Sequence, residues 1–320
     1  MKKKKKILVV LGGHSKERDI SLKTGLSCIN ALKKLNYKII KFDPKYTSLT
    51  ELKKRGADII FNALHGKGGE DGVIQSFFEY IGLPYTHSGP LSSMLAMNKY
   101  FSKKIFVKNK INTPRYFFLD KKYFSKEIIK KEIKKNKLKF PIVIKPNDEG
   151  SSIGVNICHD LNSLYNSFNK LRKKYENLIF ENYIPGKEIQ VANLGNRAIG
   201  AIELRPKRKF YDYQAKYEKS SRTEHVMPAE ISKLKYKEVL RISQKAYKIL
   251  KCRGIARCDF RFYKNKFFLL EVNTQPGMTS LSLVPEIAEY KNISFSKLVN
   301  WMVKDASLNR WKKIFFGGYF

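Results

Sequence analysis

Glu271 and Asn273 stand two positions apart in LLEVNTQPGM, residues 269 to 278, a stretch whose leucines and preceding Phe-Phe pair read as a buried strand. Side chains alternate faces along a strand, so the carboxylate and the carboxamide point the same way, about 7 Å apart at about 3.3 Å per residue. Buried without partners, both would be costly. Upstream lies RCDFRF, separated from the next strand by YKNK. A hairpin centred near Asn265 sets Asp259 opposite Glu271 and Arg257 opposite Asn273, with directly paired Cβ atoms about 5 Å apart. One face of the ribbon then carries two carboxylates, a carboxamide oxygen and a guanidinium. Such oxygen donors suit Mg²⁺, which takes one or two carboxylates and completes its sphere with substrate phosphates. A buried Arg/Asp/Glu ion-pair cluster is the competing reading.

A second candidate is KPNDEGSSIGV, residues 145 to 155. Small residues let the backbone approach a ligand closely, and consecutive N–H groups with two hydroxyls make a phosphate cradle, while Lys145 can reach the oxygens as a point charge. The spacing matches neither GxxxxGK[ST] nor GxGxxG, and a Gly-Ser turn between two strands is commonly only a turn.

Three blocks must position these groups. Residues 1–96 alternate strand and helix: strand ILVVLGG, a helix through SLKTGLSCINALKKL, strands YKIIKFD and DIIFNALHG, and helix GVIQSFFEYI. That is βαβ patterning, hence an α/β unit with a parallel sheet and a ligand crevice at the carboxyl ends of its strands. Polar clusters GGHSKERDIS (12 to 21) and ALHGKGGEDG (63 to 72) sit at such ends. Residues 97–180 hold a basic helix, strand RYFFL, helix KEIIKKEIKK, strand FPIVIKP, the Gly/Ser loop, a further helix and strand LIFENY. Residues 181–307 end in the ribbon above, and 308–320 form a tail.

At 320 residues with 42% hydrophobic and 13% aromatic content the chain can bury a sizeable core. No apolar run approaches the roughly 18 residues of a membrane span, and the apolar run after the opening lysines is too short for a secretory core. Four scattered cysteines, Cys28, Cys158, Cys252 and Cys258, form no CxxC pair, so a reducing cytoplasm is the simplest fit. The balance of 64 Lys+Arg against 28 Asp+Glu, a formal +36, suggests a polyanion partner at first sight. The lysines are spread through every segment instead of forming one stripe with interleaved aromatics, so neither a nucleic-acid nor a membrane partner is expected.

The chain resembles the bacterial D-alanine:D-alanine ligases of the ATP-grasp superfamily over almost its full length. ALHGKGGEDG, LPYTHSG, KPNDEGSSIGV, FYDYQAKY and EVNTQPGMTSLSLVP carry the resemblance, in matching order and spacing. It implies a three-domain ATP-grasp fold and ATP-dependent joining of two D-alanine molecules through an acyl phosphate, for peptidoglycan precursor synthesis in the cytoplasm, by a homodimer. It further implies that Asp259, Glu271 and Asn273 ligate two Mg²⁺ or Mn²⁺ ions, Glu271 bridging. Lys99 and Lys145 would contact the phosphates under a closing loop that includes Gly150 and Ser152, with Glu181 and Glu188 at the adenine and ribose end. Glu17, oriented by Ser151 and Tyr217, would hold the ammonium of the first D-alanine, with His65 near its carboxylate. Arg257 and the Gly277 N–H would stabilise the tetrahedral oxyanion. Lys216, on the phosphate side, would reach the second D-alanine's carboxylate with Ser282 and the Leu283 N–H.

Each position has a plainer reading: His65 as a turn histidine, Glu17 as a first-turn glutamate favoured by the helix dipole, Tyr217 as a rim tyrosine. Asn182 and Leu281 depart from the family, where lysine and histidine are common. The segment EKSSRTEHVMPAEIS, 218 to 232, is expected to form a lid. Two other readings stand beside the dipeptide ligase: an ATP-grasp ligase with another acceptor, and a basic polyanion-binding protein that keeps an ATP-grasp shell.

Overall fold

A computed structural model describes residues 5–206, 223–279 and 282–309. Strand β1 (Lys6–Val10) leads to helix α1 (Arg18–Lys34), then β2 (Lys38–Phe42), β3 (Ile59–Asn62) and α2 (Val73–Ile81). The strands form a parallel sheet in the order β2-β1-β3, with Leu8 level with Ile40 and Ile60. Both faces of such a sheet are covered, which explains the unbroken apolar run in β1. Leu8 and Val10 pack with Ile74, Phe78 and Tyr85 on one side. Ile7 and Val9 pack on the other with Ile29 and Leu32 of α1, and also with Ala192, Ile255, Ile287 and Val299 from the far end of the chain. The first and last thirds therefore share one core.

Helices α3 (Pro90–Met97) and α4 (Lys99–Lys108) follow, joined by Asn98, whose side chain caps α4 by accepting from Phe101 N at 3.0 Å. The cap fixes Lys99 as the first residue of its helix. The middle unit is an antiparallel sheet in the order β4-β7-β5-β6, made of β4 (Tyr116–Asp120), β5 (Ile142–Pro146), β6 (Asn156–Cys158) and β7 (Asn177–Asn182). Helices α5 (Lys126–Lys135) and α6 (Leu161–Leu171) cover it through Ile129, Leu164 and Phe168. Lys130, Lys131, Lys134 and Lys135 of α5 stay exposed, a solvated basic face. Strand β6 was not anticipated: three residues carry no readable period. Its pairing with β5 makes the Gly/Ser loop the tip of a hairpin.

The last unit is a five-stranded antiparallel sheet, β10-β9-β8-β11-β12, from β8 (Lys187–Leu194), β9 (Arg197–Arg205), β10 (Glu224–Val226), β11 (Ile255–Tyr263) and β12 (Lys266–Asn273). Helices α7 (Lys233–Ile249), α8 (Leu283–Tyr290) and α9 (Phe295–Asp305) complete it. Of the segment expected to form a lid, residues 218–222 lie outside the described residues, and residues 224–226 pair with 203–205 of β9 as strand β10.

Gly186 enters β8 at φ +96°, and a Cβ there would stand 2.3 Å from the Phe262 carbonyl oxygen. A left-handed conformation in a non-glycine residue costs about 1–3 kcal/mol before any clash. Gly186→Ala is thus expected to lower the melting temperature by at least roughly 4 °C. A thermal scan showing no shift would mean that this turn opens freely.

Candidate active site

The ribbon that carries the candidate ion ligands is the β11–β12 hairpin. Asp259 lies opposite Glu271 and Arg257 opposite Asn273. The turn itself is two residues, Lys264 and Asn265, both at positive φ (45° and 60°), the geometry of a type I′ hairpin. Near the turn the pairing is Tyr263 with Lys266 and Phe260 with Leu269, one residue out of step with the site. A bulge at Leu270 restores the site register and turns Leu270 into the neighbouring slot.

Arg257 grips Asp259 in a two-pronged ion pair, Nε to Oδ1 at 2.7 Å and the Nη2 prong to Oδ2 at 2.8 Å. The Asn273 oxygen accepts from Gln275 N at 2.7 Å. Glu271 Oε2 lies 3.8 Å from Lys99 Nζ, which donates to the Glu149 carbonyl at 2.6 Å. Burial pushes the Lys99 ammonium below the usual lysine range. Backbone contacts hold Lys99 against the Gly/Ser hairpin: its N–H donates to Asn147 O at 3.1 Å.

At that hairpin tip, Ser151 and Ser152 take positive φ values of 50° and 60°, and Ile153 N donates back to Gly150 O at 3.0 Å. Two serines in a sparsely populated conformation store strain at a loop that faces the ligand space. The turn aims Ser151 Oγ at Glu17 Oε2, 2.5 Å away. Glu17 immediately precedes α1, makes no side-chain cap there, and is buried. It projects into the cavity instead of serving its own helix. His65, also buried, contacts Glu70 Oε1 at 2.9 Å through Nδ1 and Thr24 Oγ1 at 3.0 Å through Nε2.

Under the slot, Lys145 donates to Glu181 Oε1 at 2.5 Å, and Lys103 lies 2.9 Å from Glu181 Oε2. The Lys103 approach is a charge contact, since Oε2 has no aligned donor. Burial alone would raise the Glu181 carboxyl, but the two ammonium groups hold it at about 2. Glu188 lies 3.6 Å from Arg261.

Two cavities meet here. The larger, about 710 Å³, is lined by Glu17, His65, Ser151, Arg257, Gly277 and Ser282, among others. Leu283 borders it at the start of α8, whose first N–H groups have no helical partner and suit a carboxylate. The smaller is a slot of about 90 Å³ lined by Lys145, Ser152, Glu181, Glu188 and Asp259. Lys99, Glu149, Gly150 and Glu271 line both. Every described candidate residue lines one of the two cavities or both. Lys216 and Tyr217 lie outside the described residues.

Four supporting residues escaped the sequence reading. Glu70 sits five positions after His65 in a glycine-rich loop, a spacing that belongs to neither helix nor strand. Thr24 touches His65 and accepts from Met278 N at 3.4 Å. Buried Gln275 accepts from Asn62 Nδ2 at 2.9 Å and donates to the Leu64 carbonyl, tying the loop after β12 to the end of β3. Lys103, one turn after Lys99, is the fourth.

The family described as "D-ala D-ala ligase C-terminus" matches residues 105–304, and "D-ala D-ala ligase N-terminus" matches residues 44–88. The D-alanine–D-alanine ligase of Pelagibacter ubique is 52% identical over 306 residues, 96% of this chain and 99% of that protein. The crystal structure of D-alanine–D-alanine ligase from Bacillus anthracis complexed with ATP superposes with a TM-score of 0.82 at 31% identity, covering 94% of this chain and 97% of that one. The VanG D-Ala:D-Ser ligase from Enterococcus faecalis gives 0.81 at 26% identity, over 94% of this chain and 99% of its own. With the same ATP-grasp architecture and this likeness along nearly its whole length, the chain belongs to the D-alanine:D-alanine ligase family.

Proposed function

We propose that this protein joins two D-alanines into D-alanyl-D-alanine at the expense of ATP, supplying a precursor of peptidoglycan. The observation that supports the reading is the meeting of two cavities at Lys99, Gly150 and Glu271: a slot lined by two lysines and the Gly/Ser hairpin, and a larger space lined by Glu17, His65 and Ser282. ATP takes the slot, with its phosphates toward Lys99 and Lys145 and its adenine and ribose toward Glu181 and Glu188. The first D-alanine lies in the larger cavity, its ammonium on Glu17 and its carboxylate near His65. An oxygen of that carboxylate attacks the γ-phosphorus at the junction, the bond to the β-phosphate oxygen breaks, and ADP and an acyl phosphate result. The second D-alanine, its carboxylate at Ser282 and the Leu283 N–H, attacks through its neutral amine. The tetrahedral oxyanion is stabilised by Arg257 and the Gly277 N–H, and it collapses with loss of inorganic phosphate to the dipeptide. Lys216 and Tyr217 belong to the same proposal.

The donor set fits a hard divalent cation. Among the described residues no cluster of three or more His, Cys, Asp or Glu side chains is placed to hold a metal. Asp259 and Glu271 supply two carboxylates and Asn273 a carboxamide oxygen, a set that leaves room for phosphate oxygens, as Mg²⁺ or Mn²⁺ prefers. When bound, two such ions would neutralise charge on the phosphates. The four cysteines are unpaired thiols, which supports a reducing cytoplasm, and among the described residues no helix is long and apolar enough to cross a membrane. A homodimer completes the proposal, to be checked by sedimentation.

The decisive assay measures ADP release with a panel of D- and L-amino acids. D-alanine alone is expected to release one ADP per dipeptide formed. Release with D-serine or an L-amino acid but not with D-alanine would overturn the substrate assignment.

A further inference from the structure

Lys103 lines neither cavity, and its side chain is 0% exposed. Its ammonium lies 2.9 Å from Glu181 Oε2, donates to Thr113 Oγ1 at 2.7 Å and stands 5.7 Å from the centre of the Tyr116 ring. The other oxygen of the same carboxylate is taken by Lys145. One buried carboxylate is thus shared between two buried ammonium groups, a trio with net charge +1. A structural ion pair needs only one cation for one carboxylate, and a second, fully desolvated cation is costly unless an anion answers it. Burial pushes Lys103 down to about 8, and the Lys145 charge opposes it further, while Glu181 works the other way.

We propose that Lys103 is a positioning residue for the nucleotide: by sharing the Glu181 carboxylate that Lys145 already contacts, it keeps that contact from being charge-neutral and so leaves a positive charge facing the triphosphate. Lys103 touches no ligand itself. Without it, Glu181 and Lys145 cancel, and the slot loses one unit of charge in a region where water screens little. The two amino-acid positions lie in the other cavity and feel the change weakly. This inference rests on the reading of the slot as the nucleotide site.

The test uses the full-length protein, with steady-state kinetics and calorimetric ADP binding. Lys103→Met should raise KM for ATP and Kd for ADP about tenfold while KM for D-alanine moves by less than about twofold. Lys103→Gln, which keeps a hydrogen-bond donor for Thr113 but not the charge, should behave alike, and it decides the matter if the methionine variant does not fold. In a Glu181→Gln background, where no carboxylate competes for Lys145, removing Lys103 should shift nucleotide affinity by less than about twofold. A lower melting temperature with unchanged ADP affinity in both single variants would overturn the proposal and leave Lys103 a packing residue. Lys145→Met separates the two readings. If it too leaves ADP affinity unmoved, the nucleotide slot is wrong; if it weakens ADP while the Lys103 variants do not, only the Lys103 proposal falls.

Discussion

Replacing Glu271 by glutamine is expected to lower kcat by at least roughly a hundredfold, the scale on which lost electrostatic stabilisation of a transferring phosphoryl group is felt. The substitution is nearly isosteric, so the hairpin and its bulge should survive. What changes is one unit of charge at the junction of the two cavities, 3.8 Å from Lys99. Two consequences separate the ion-ligand role from a packing role. The Mg²⁺ concentration for half-maximal rate should rise by about 10–100-fold, and the melting temperature should stay near that of the parent. Turnover within tenfold of the parent at ordinary Mg²⁺ would remove Glu271 from the ligand set.

Arg257→Met should be nearly as damaging, for a different reason. The guanidinium lines the larger cavity, where the proposed reaction forms its oxyanion, and losing one such donor costs about 10²–10³ in kcat. It also holds Asp259 through two hydrogen bonds in a setting where both side chains are largely buried. Removing it leaves a buried carboxylate short of a partner, which typically costs about 3–5 kcal/mol. Both kcat and the melting temperature are therefore expected to fall, and Arg257→Lys should recover little, because a point charge cannot reproduce the fork. A methionine variant with a lowered melting temperature and unchanged kcat would confine Arg257 to holding Asp259.

The fold class was legible because the first block alternates periods cleanly, and a parallel sheet follows from βαβ order. The pairing of Asp259 with Glu271 was legible too, although the simple count from Asn265 contains a compensating error. The two-residue turn puts the strands one step out, and the bulge at Leu270 puts them back. A phase slip was there to be seen: Phe267 and Leu269 point inward, then Val272 does, three positions later instead of two. Strand β6 was beyond reach because its three residues gain their conformation from β5, not from their own pattern. Thr24 and Gln275 were hidden because their partners arrive through chain closure, with Gln275 meeting Asn62 across 213 positions, whereas Glu70 meets His65 only five positions away in a loop with no regular period. Lys103 looked like any surface lysine of a basic helix, since nothing local announces a buried ammonium.

The sheet of the first third has one face finished by its own α2, and the other by α1 together with Ile287, Leu298, Val299 and Met302. A ribosome releases those residues more than 200 positions after the strands they cover. During synthesis Ile7, Val9 and Phe61 therefore wait, half covered, while more than 200 residues follow them out. The middle unit, whose core is drawn from residues 117–180 alone, can close long before. Order of emergence and order of completion are thus opposed for these two units: the one that emerges earlier is finished later, and a truncation that spares every residue of the Gly/Ser hairpin would still leave a sticky, unfinished sheet.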